Sequence, residues 1–271
     1  MNEVRVETTD GVMTVTLVDV ENRNALGAGL VGGLLDAIAA ANADPAVRAI
    51  VITNEGSTFC AGANLKERSA ANDSAAAGAS RKSKGANAGR ALGGFETLLH
   101  EIQTSPTPVI GKIKGHVVGG GNGLAAAVDI SIAVEDVKFG FTEVRLGVAP
   151  AIISVVCLPK MRHGDAMEAF LRGHRFPATR AAELGLINRA VPADEIDAAV
   201  EEVLADLRKG GPNALGFCKR LVYEVPPMGQ KEAFQWTTQL SGELFKGEEA
   251  AEGMKAFLQK RKAAWAVDPS E

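Results

Sequence analysis

Three short apolar runs constrain this chain more than anything else in it. Ala49–Ile52, Val109–Ile113 and Ile130–Val134 lack the apolar–polar alternation of a half-exposed strand. Such runs mark strands covered on both faces, and a strand covered on both faces needs other layers above and below it. Helix-like or glycine-rich stretches separate them, so they predict an α/β core around a buried sheet. The first 18 residues read differently, as a hairpin. Val4 and Val6 alternate with Arg5 and Glu7, and Met13, Val15 and Leu17 alternate with Thr14 and Thr16. Asp10-Gly11 between them is a pair that tolerates positive φ. Residues 28–41 then switch to helical period, with Leu30, Leu34 and Ile38 on one face.

Strand signals stop near residue 160. Ile196, Val200, Val203, Leu204 and Leu207 keep helical spacing, as do Trp236, Leu240 and Leu244, and later Met254, Phe257 and Leu258. The expected division is an α/β core over residues 1–195 and a helical C-terminal region over 196–271. Trp and Phe on such terminal helices are expected to pack on the core or on another subunit. Ser69 to Ala88 contains no Leu, Ile, Val or aromatic residue. It cannot bury apolar surface of its own, which predicts either a surface insertion or a flap over a binding site.

At 271 residues the chain is long enough for a core that needs no staples. With 29 Lys and Arg against 33 Asp and Glu, it has no global field to draw it onto nucleic acid or anionic membrane. No apolar run approaches the roughly 20 residues that span a bilayer; the longest, Leu124 to Val134, is broken by Asp129. The N-terminus has neither a basic n-region nor an apolar h-region. These features predict a soluble, cytoplasmic protein without membrane or nucleic-acid partners. Cys60, Cys157 and Cys218 are odd in number and far apart, and His100, His116, His163 and His174 show no ligand spacing. No disulfide framework and no metal site are expected.

The chemistry is expected in two glycine-bearing segments that follow buried strands: Phe59-Cys60-Ala61-Gly62-Ala63-Asn64-Leu65-Lys66-Glu67, and Gly115 to Leu124 with its Gly119-Gly120-Gly121 run. Glycines opening a helix leave bare N–H groups pointing outward, aided by the helix dipole, an arrangement for an anion or a polarised carbonyl oxygen. No GxxxxGK[ST] loop, GxSxG elbow or well-formed GxGxxG fingerprint is present, which disfavours nucleotide folds and α/β-hydrolase chemistry.

These segments, with FGFTEVRLGVAP at 139–150, LGLIN at 184–188 and GMKAFLQKRKAAW at 253–265, resemble the crotonase superfamily of enoyl-CoA hydratases and isomerases. The likeness runs over nearly the whole chain in the family's order. It implies a spiral of ββα turns with a helical C-terminal trimerisation region, assembling as a homotrimer or a hexamer. It further implies an acyl-CoA substrate, coenzyme A arriving as part of that substrate with no other cofactor, and an oxyanion hole formed by the Ala63 and Gly120 N–H groups. Ala61, Ala63, Asn64, Leu65 and Lys66 would line the coenzyme A moiety, Arg23 would pack beside it, and Lys260 would reach its phosphates, commonly from a neighbouring subunit. Glu143 matches the family's catalytic acid/base.

One departure stands out. Family hydratases carry a second glutamate two residues after the glycine run, and here that position is Gly123. Hydration of a 2-enoyl-CoA with Glu143 as general acid/base is the leading expectation, and a Δ3–Δ2 isomerase using the single Glu143 is the alternative. Thioester hydrolysis, C–C bond cleavage and non-catalytic acyl-CoA binding stay open behind them. Glu67 is the only other acid near the motifs and is a candidate second catalytic group. Asn64, where aspartate is usual, is expected to fix its loop. Arg145 is either a site cation or a structural one.

Overall fold

A computed structural model describes residues 3–67, 69 and 94–266; apart from Ser69, the expected insertion or flap at 69–88 lies outside the described residues. The hairpin forms from β1 (Val4–Thr9) and β2 (Val12–Leu17), antiparallel about Asp10 and Gly11, at φ 50° and 73°. Helix α1 (Ala28–Ala43) buries Leu30, Leu34 and Ile38. Strand pairs follow: β3 (Ala49–Asn54) with β4 (Thr58–Cys60), then after α2 (Phe95–Thr104) β5 (Val109–Ile113) with β6 (His116–Val118). Helix α3 (Gly120–Ala127) leads to β7 (Ile130–Val134) and β8 (Lys138–Gly140). A 3-10 turn at Thr142–Leu146 precedes α4 (Ala151–Cys157), α5 (His163–Arg172), β9 (Arg175–Pro177), α6 (Ala178–Glu183) and β10 (Arg189–Val191). The chain ends in α7 (Ile196–Leu207), α8 (Pro212–Glu224), α9 (Gln230–Lys246) and α10 (Glu248–Leu258).

The first strand of each pair joins a six-stranded sheet of order β1-β2-β3-β5-β7-β10, and the second joins a four-stranded sheet of order β4-β6-β8-β9. Every pairing is parallel except β1 with β2 and β8 with β9. Two strands and a connection thus make one turn of a spiral, and the next turn stacks beside it. Strands β9 and β10 correct the expectation that strands end near residue 160: at three residues each they are too short to show any periodicity.

The apolar runs are explained by what covers them. All of β3 is buried. Ile50 and Ile52 face the cluster that holds Leu30, Leu34 and Ile38, while Ala49 and Val51 face Ile196, Val200 and Leu204 of α7. The first helix of the expected C-terminal region therefore completes the core. Further along, Phe234 and Phe245 of α9 and Phe257 of α10 stay exposed in the single chain.

One buried ion pair ties α8 to this core. Lys219 Nζ lies 2.7 Å from Asp129 Oδ2 and donates to the Ile102 carbonyl at 3.1 Å, while the same Asp129 oxygen accepts the Val109 N–H at 2.7 Å. Burial pushes the Asp129 carboxyl up and the Lys219 ammonium down from their ordinary values. Lys219→Met removes the counter-charge in contact with Asp129 and leaves only the more distant Lys160, at a cost of about 3 kcal/mol. Melting curves are expected to fall by roughly 6–12 °C, with most of that recovered in the double variant with Asp129→Asn.

Candidate active site

The two glycine segments meet side by side. After β4 the chain runs beside Leu26, whose N–H donates to the Gly62 carbonyl at 2.7 Å and whose carbonyl accepts the Asn64 N–H at 3.4 Å. Those bonds leave the intervening Ala63 N–H and C=O turned to the opposite side, since successive peptide groups of extended chain face opposite edges. On the other segment Gly119 sits at φ 55°, ψ −126°, and Gly120 opens α3, so its N–H has no intrahelical acceptor. The loops are in backbone contact. A Cβ at Gly62, itself at φ 84°, would lie 2.8 Å from Gly120 N and 2.9 Å from the Val118 carbonyl oxygen. Ala63 and Gly120 both line a cavity of 280 Å³.

Glu143 enters that cavity from the turn after β8. A Cβ at Gly119 would stand 3.5 Å from Glu143 Oε1, so the carboxylate lies over the glycine run. Its Oε2 is buried with no partner among the described residues. Burial raises the Glu143 pKa above the usual carboxylate range, opposed only by a hydrogen bond from its own N–H. Thr142 supplies the only other polar side chain among the described lining residues; Leu26, Leu65, Phe95, Leu146, Ile152 and Ile153 supply most of the rest. At Gly123 a Cβ would overlap Ile153 and stand 3.5 Å from Phe95 Cζ. The space of a side chain at 123 is filled with hydrocarbon.

A second cavity of 640 Å³ shares Ala61, Ala63, Leu65, Thr142 and Leu146 with the first and opens as a basic groove. Arg23, Lys66, Arg145, Arg175 and His116 line it against a single acid, Glu21. The loop before α1 holds Arg23 at φ 56°, with its carbonyl accepting the Ala61 N–H at 3.1 Å. Lys66 Nζ donates to Asn22 Oδ1 at 3.3 Å. Asn64 fixes its loop, as expected: Oδ1 accepts the Lys66 N–H, and Nδ2 donates to Glu67 Oε1 at 2.8 Å.

Six of the expected site residues, Arg23, Ala61, Ala63, Asn64, Leu65 and Lys66, come together in this groove, and Gly120 and Glu143 in the adjoining cavity. Glu67 does not join them. Its carboxylate is taken by Asn64 and by the Ala28 N–H at the start of α1, and it lines neither cavity, which corrects its candidacy as a second catalytic acid. Lys260, just past α10 at φ 54°, also lines neither cavity of the single chain. Arg175 is the addition that sequence reasoning missed; a lone arginine in a three-residue strand carries no local signal. Among the described residues no three His, Cys, Asp or Glu side chains gather as metal ligands, and no helix is long and apolar enough to cross a membrane.

On this ββα spiral the Ala63 and Gly120 backbone and the half-buried Glu143 carboxylate share one cavity. The family model described as enoyl-CoA hydratase/isomerase matches residues 7–268, and the chain belongs to that family. It is 29% identical to the enoyl-CoA hydratase EchA19 of Mycobacterium tuberculosis, over 94% of this chain and 93% of that one. Among solved structures, Pseudomonas aeruginosa AtuE superposes with a TM-score of 0.87 at 32% identity, covering 97% of this chain and 99% of that one. An enoyl-CoA hydratase/isomerase from Marinobacter aquaeolei gives 0.87 at 27% identity, with coverage of 98% and 100%. The fold is the crotonase fold.

Because the folded-state pKa of Glu143 is raised, its contribution to stability is full below its unfolded value and is lost as pH rises through the folded one. At about pH 8 the ionised, partly unpartnered carboxylate is a burden on the fold. Glu143→Gln is expected to melt about 1–4 °C above the wild type there, and thermal melts should show the gap closing as pH falls towards about 4.

Proposed function

We propose that this chain is an acyl-CoA enzyme that holds a thioester enolate between the Ala63 and Gly120 N–H groups while Glu143 moves a proton along the acyl chain. Its proposed reaction is conversion of a 3-enoyl-CoA to the 2-enoyl-CoA. The observation that carries this is the single carboxylate in a cavity whose only other polar side chain among the described residues is Thr142, with Ile153 and Phe95 filling the space at Gly123. Glu143 takes the C2 proton as base, the electron pair moves onto the thioester oxygen, and the dienolate forms. The protonated Glu143 then returns its proton to C4, the double bond closes between C2 and C3, and the carboxylate is restored. No atom is gained or lost. Each preorganised amide stabilises the oxyanion by roughly 3 kcal/mol, and a base with a raised pKa suits a step of this kind.

Hydration is the second reading, favoured by Thr142 beside Glu143 in the lining and by the hydratase name of the M. tuberculosis relative. There a water held by Glu143 adds at C3, and one carboxylate serves both ends of the addition.

The basic groove suits the phosphates of coenzyme A, with Arg23, Lys66, Arg145 and Arg175 as its cations and Ala61–Lys66 along the pantetheine. Coenzyme A is part of the substrate, and this proton transfer calls for no further cofactor. Exposed Phe234, Phe245 and Phe257 support assembly into a homotrimer or a hexamer, in which Lys260 of a neighbouring copy reaches the phosphates.

Mass and absorbance of the purified chain's products on 3-hexenoyl-CoA and crotonyl-CoA decide between the readings. Gain of the conjugated thioester without added mass is expected; faster addition of water to crotonyl-CoA reassigns the reaction to hydration. Glu143→Gln is expected to lower kcat about 100-fold or more while butyryl-CoA affinity stays within a few fold. Lys260→Ala is expected to weaken butyryl-CoA by about tenfold, and unchanged affinity removes Lys260 from the site.

A further inference from the structure

Asn122 lies in the first turn of α3, within the second glycine segment, is fully buried, and lines neither cavity. Its side chain is nonetheless tied to both halves of the machinery. Nδ2 donates to the Gly119 carbonyl at 3.0 Å and to the Gly140 carbonyl at 2.9 Å. The Asn122 N–H also donates to the Gly119 carbonyl, at 2.9 Å, and the Gly119 N–H to the Gly140 carbonyl, at 3.0 Å. Asn122 Oδ1 is left buried with no partner among the described residues.

The Gly119 carbonyl and the Gly120 N–H belong to one peptide unit, which is planar and trans. Fixing where the carbonyl points fixes the N–H in the opposite direction. A carbonyl that accepts two hydrogen bonds also polarises its own peptide unit and strengthens the donor on the far side. The second Asn122 bond reaches Gly140, the end of β8 and three residues before Glu143. A buried amide that leaves an acceptor unpaired costs about 1–3 kcal/mol, so the two carbonyl bonds that Nδ2 makes are kept against a cost.

We propose that Asn122 is a positioning residue for the reaction: it aims the Gly120 N–H at the thioester oxygen and locks the glycine run to the strand that delivers Glu143. This rests on the oxyanion-hole reading above, and it assigns a role to a side chain that never touches substrate.

The test compares wild type, Asn122→Leu and Asn122→Ser in the full chain. Leucine keeps the volume and removes both side-chain bonds, while each carbonyl keeps its backbone donor, so the fold has what it needs. Serine keeps one donor and covers the case in which the leucine variant does not fold. Two probes are read: butyryl-CoA, which cannot form an enolate readily, and acetoacetyl-CoA, whose bound enolate has its own absorbance. Asn122→Leu is expected to lower kcat on the accepted enoyl-CoA by about 30-fold or more and to abolish the acetoacetyl-CoA enolate signal, with butyryl-CoA affinity within about threefold of wild type. Serine is expected to fall between the two. A kcat within threefold of wild type, an undiminished enolate signal, or equal losses in kcat and butyryl-CoA affinity overturns the proposal. If wild type turns over no enoyl-CoA, the proposed reaction fails on its own, and the enolate signal still decides the role of Asn122.

Discussion

Contact between two backbones, at Gly62 and at Gly119–Gly120, is what the rest of the site depends on. Nothing larger than hydrogen fits at Gly62 without meeting Gly120 N or the Val118 carbonyl. That approach requires β4 and β6 to lie adjacent and parallel in the small sheet, which in turn requires the chain to complete one spiral turn between them. The large sheet supplies the rigidity. Its buried strands are held by α7 on one face and by the main cluster on the other, so the small sheet rides on a frame that has little freedom to shift. Ala63 and Gly120, separated by nearly sixty residues of sequence, thus line one cavity.

Against that backbone frame stands Glu143, the proposed reacting side chain, and its surroundings set its behaviour. The same apolar wall that leaves room for a hydrocarbon chain also withdraws water from the carboxylate and raises its pKa. On the proposed reading a single wall therefore serves two ends: it receives the acyl group, and it strengthens the base that takes a carbon-bound proton next to a thioester. Filling the space at position 123 with Ile153 completes this wall and removes the place where a second charge would sit. The basic groove is separated from this chemistry by the shared stretch Ala61–Leu65, so the polyanionic end of a ligand and its apolar end meet opposite environments a few residues apart.

Much of this was legible in the sequence, for identifiable reasons. The hairpin showed through strict alternation around Asp10-Gly11, and the three central strands through apolar runs that only two-sided burial explains. That Ala63, Gly120 and Glu143 would share one cavity was legible through motif resemblance, because glycine runs have few physical uses. Strands β9 and β10 were hidden, being only three residues long, and their pairing is decided by β8 and β7 rather than by their own residues. Arg175 was hidden for the same reason. Glu67 misled because proximity in sequence to a motif says nothing about where a carboxylate points; here the start of α1 captures it. The plug at Gly123 was half legible: the missing glutamate was plain, but Ile153, thirty residues on, is identified only by the packing of α4 against α3.

The division between backbone and side chains bears on how far family membership reaches. Backbone amide donors need only the fold and a few glycines, and this chain shares about 30% identity with its relatives over nearly full length. On the proposed reading those backbone groups activate the thioester, and the choice of reaction rests on the few side chains at positions 123, 143 and 153. On the proposed reading the backbone holds the enolate, whereas the fate of the enolate depends on whether a second polar group stands near C3. The space at Gly123 is taken by Ile153 and Phe95, and Thr142 is the only other polar side chain beside Glu143 among the described lining residues; on that balance the proposed isomerisation rests.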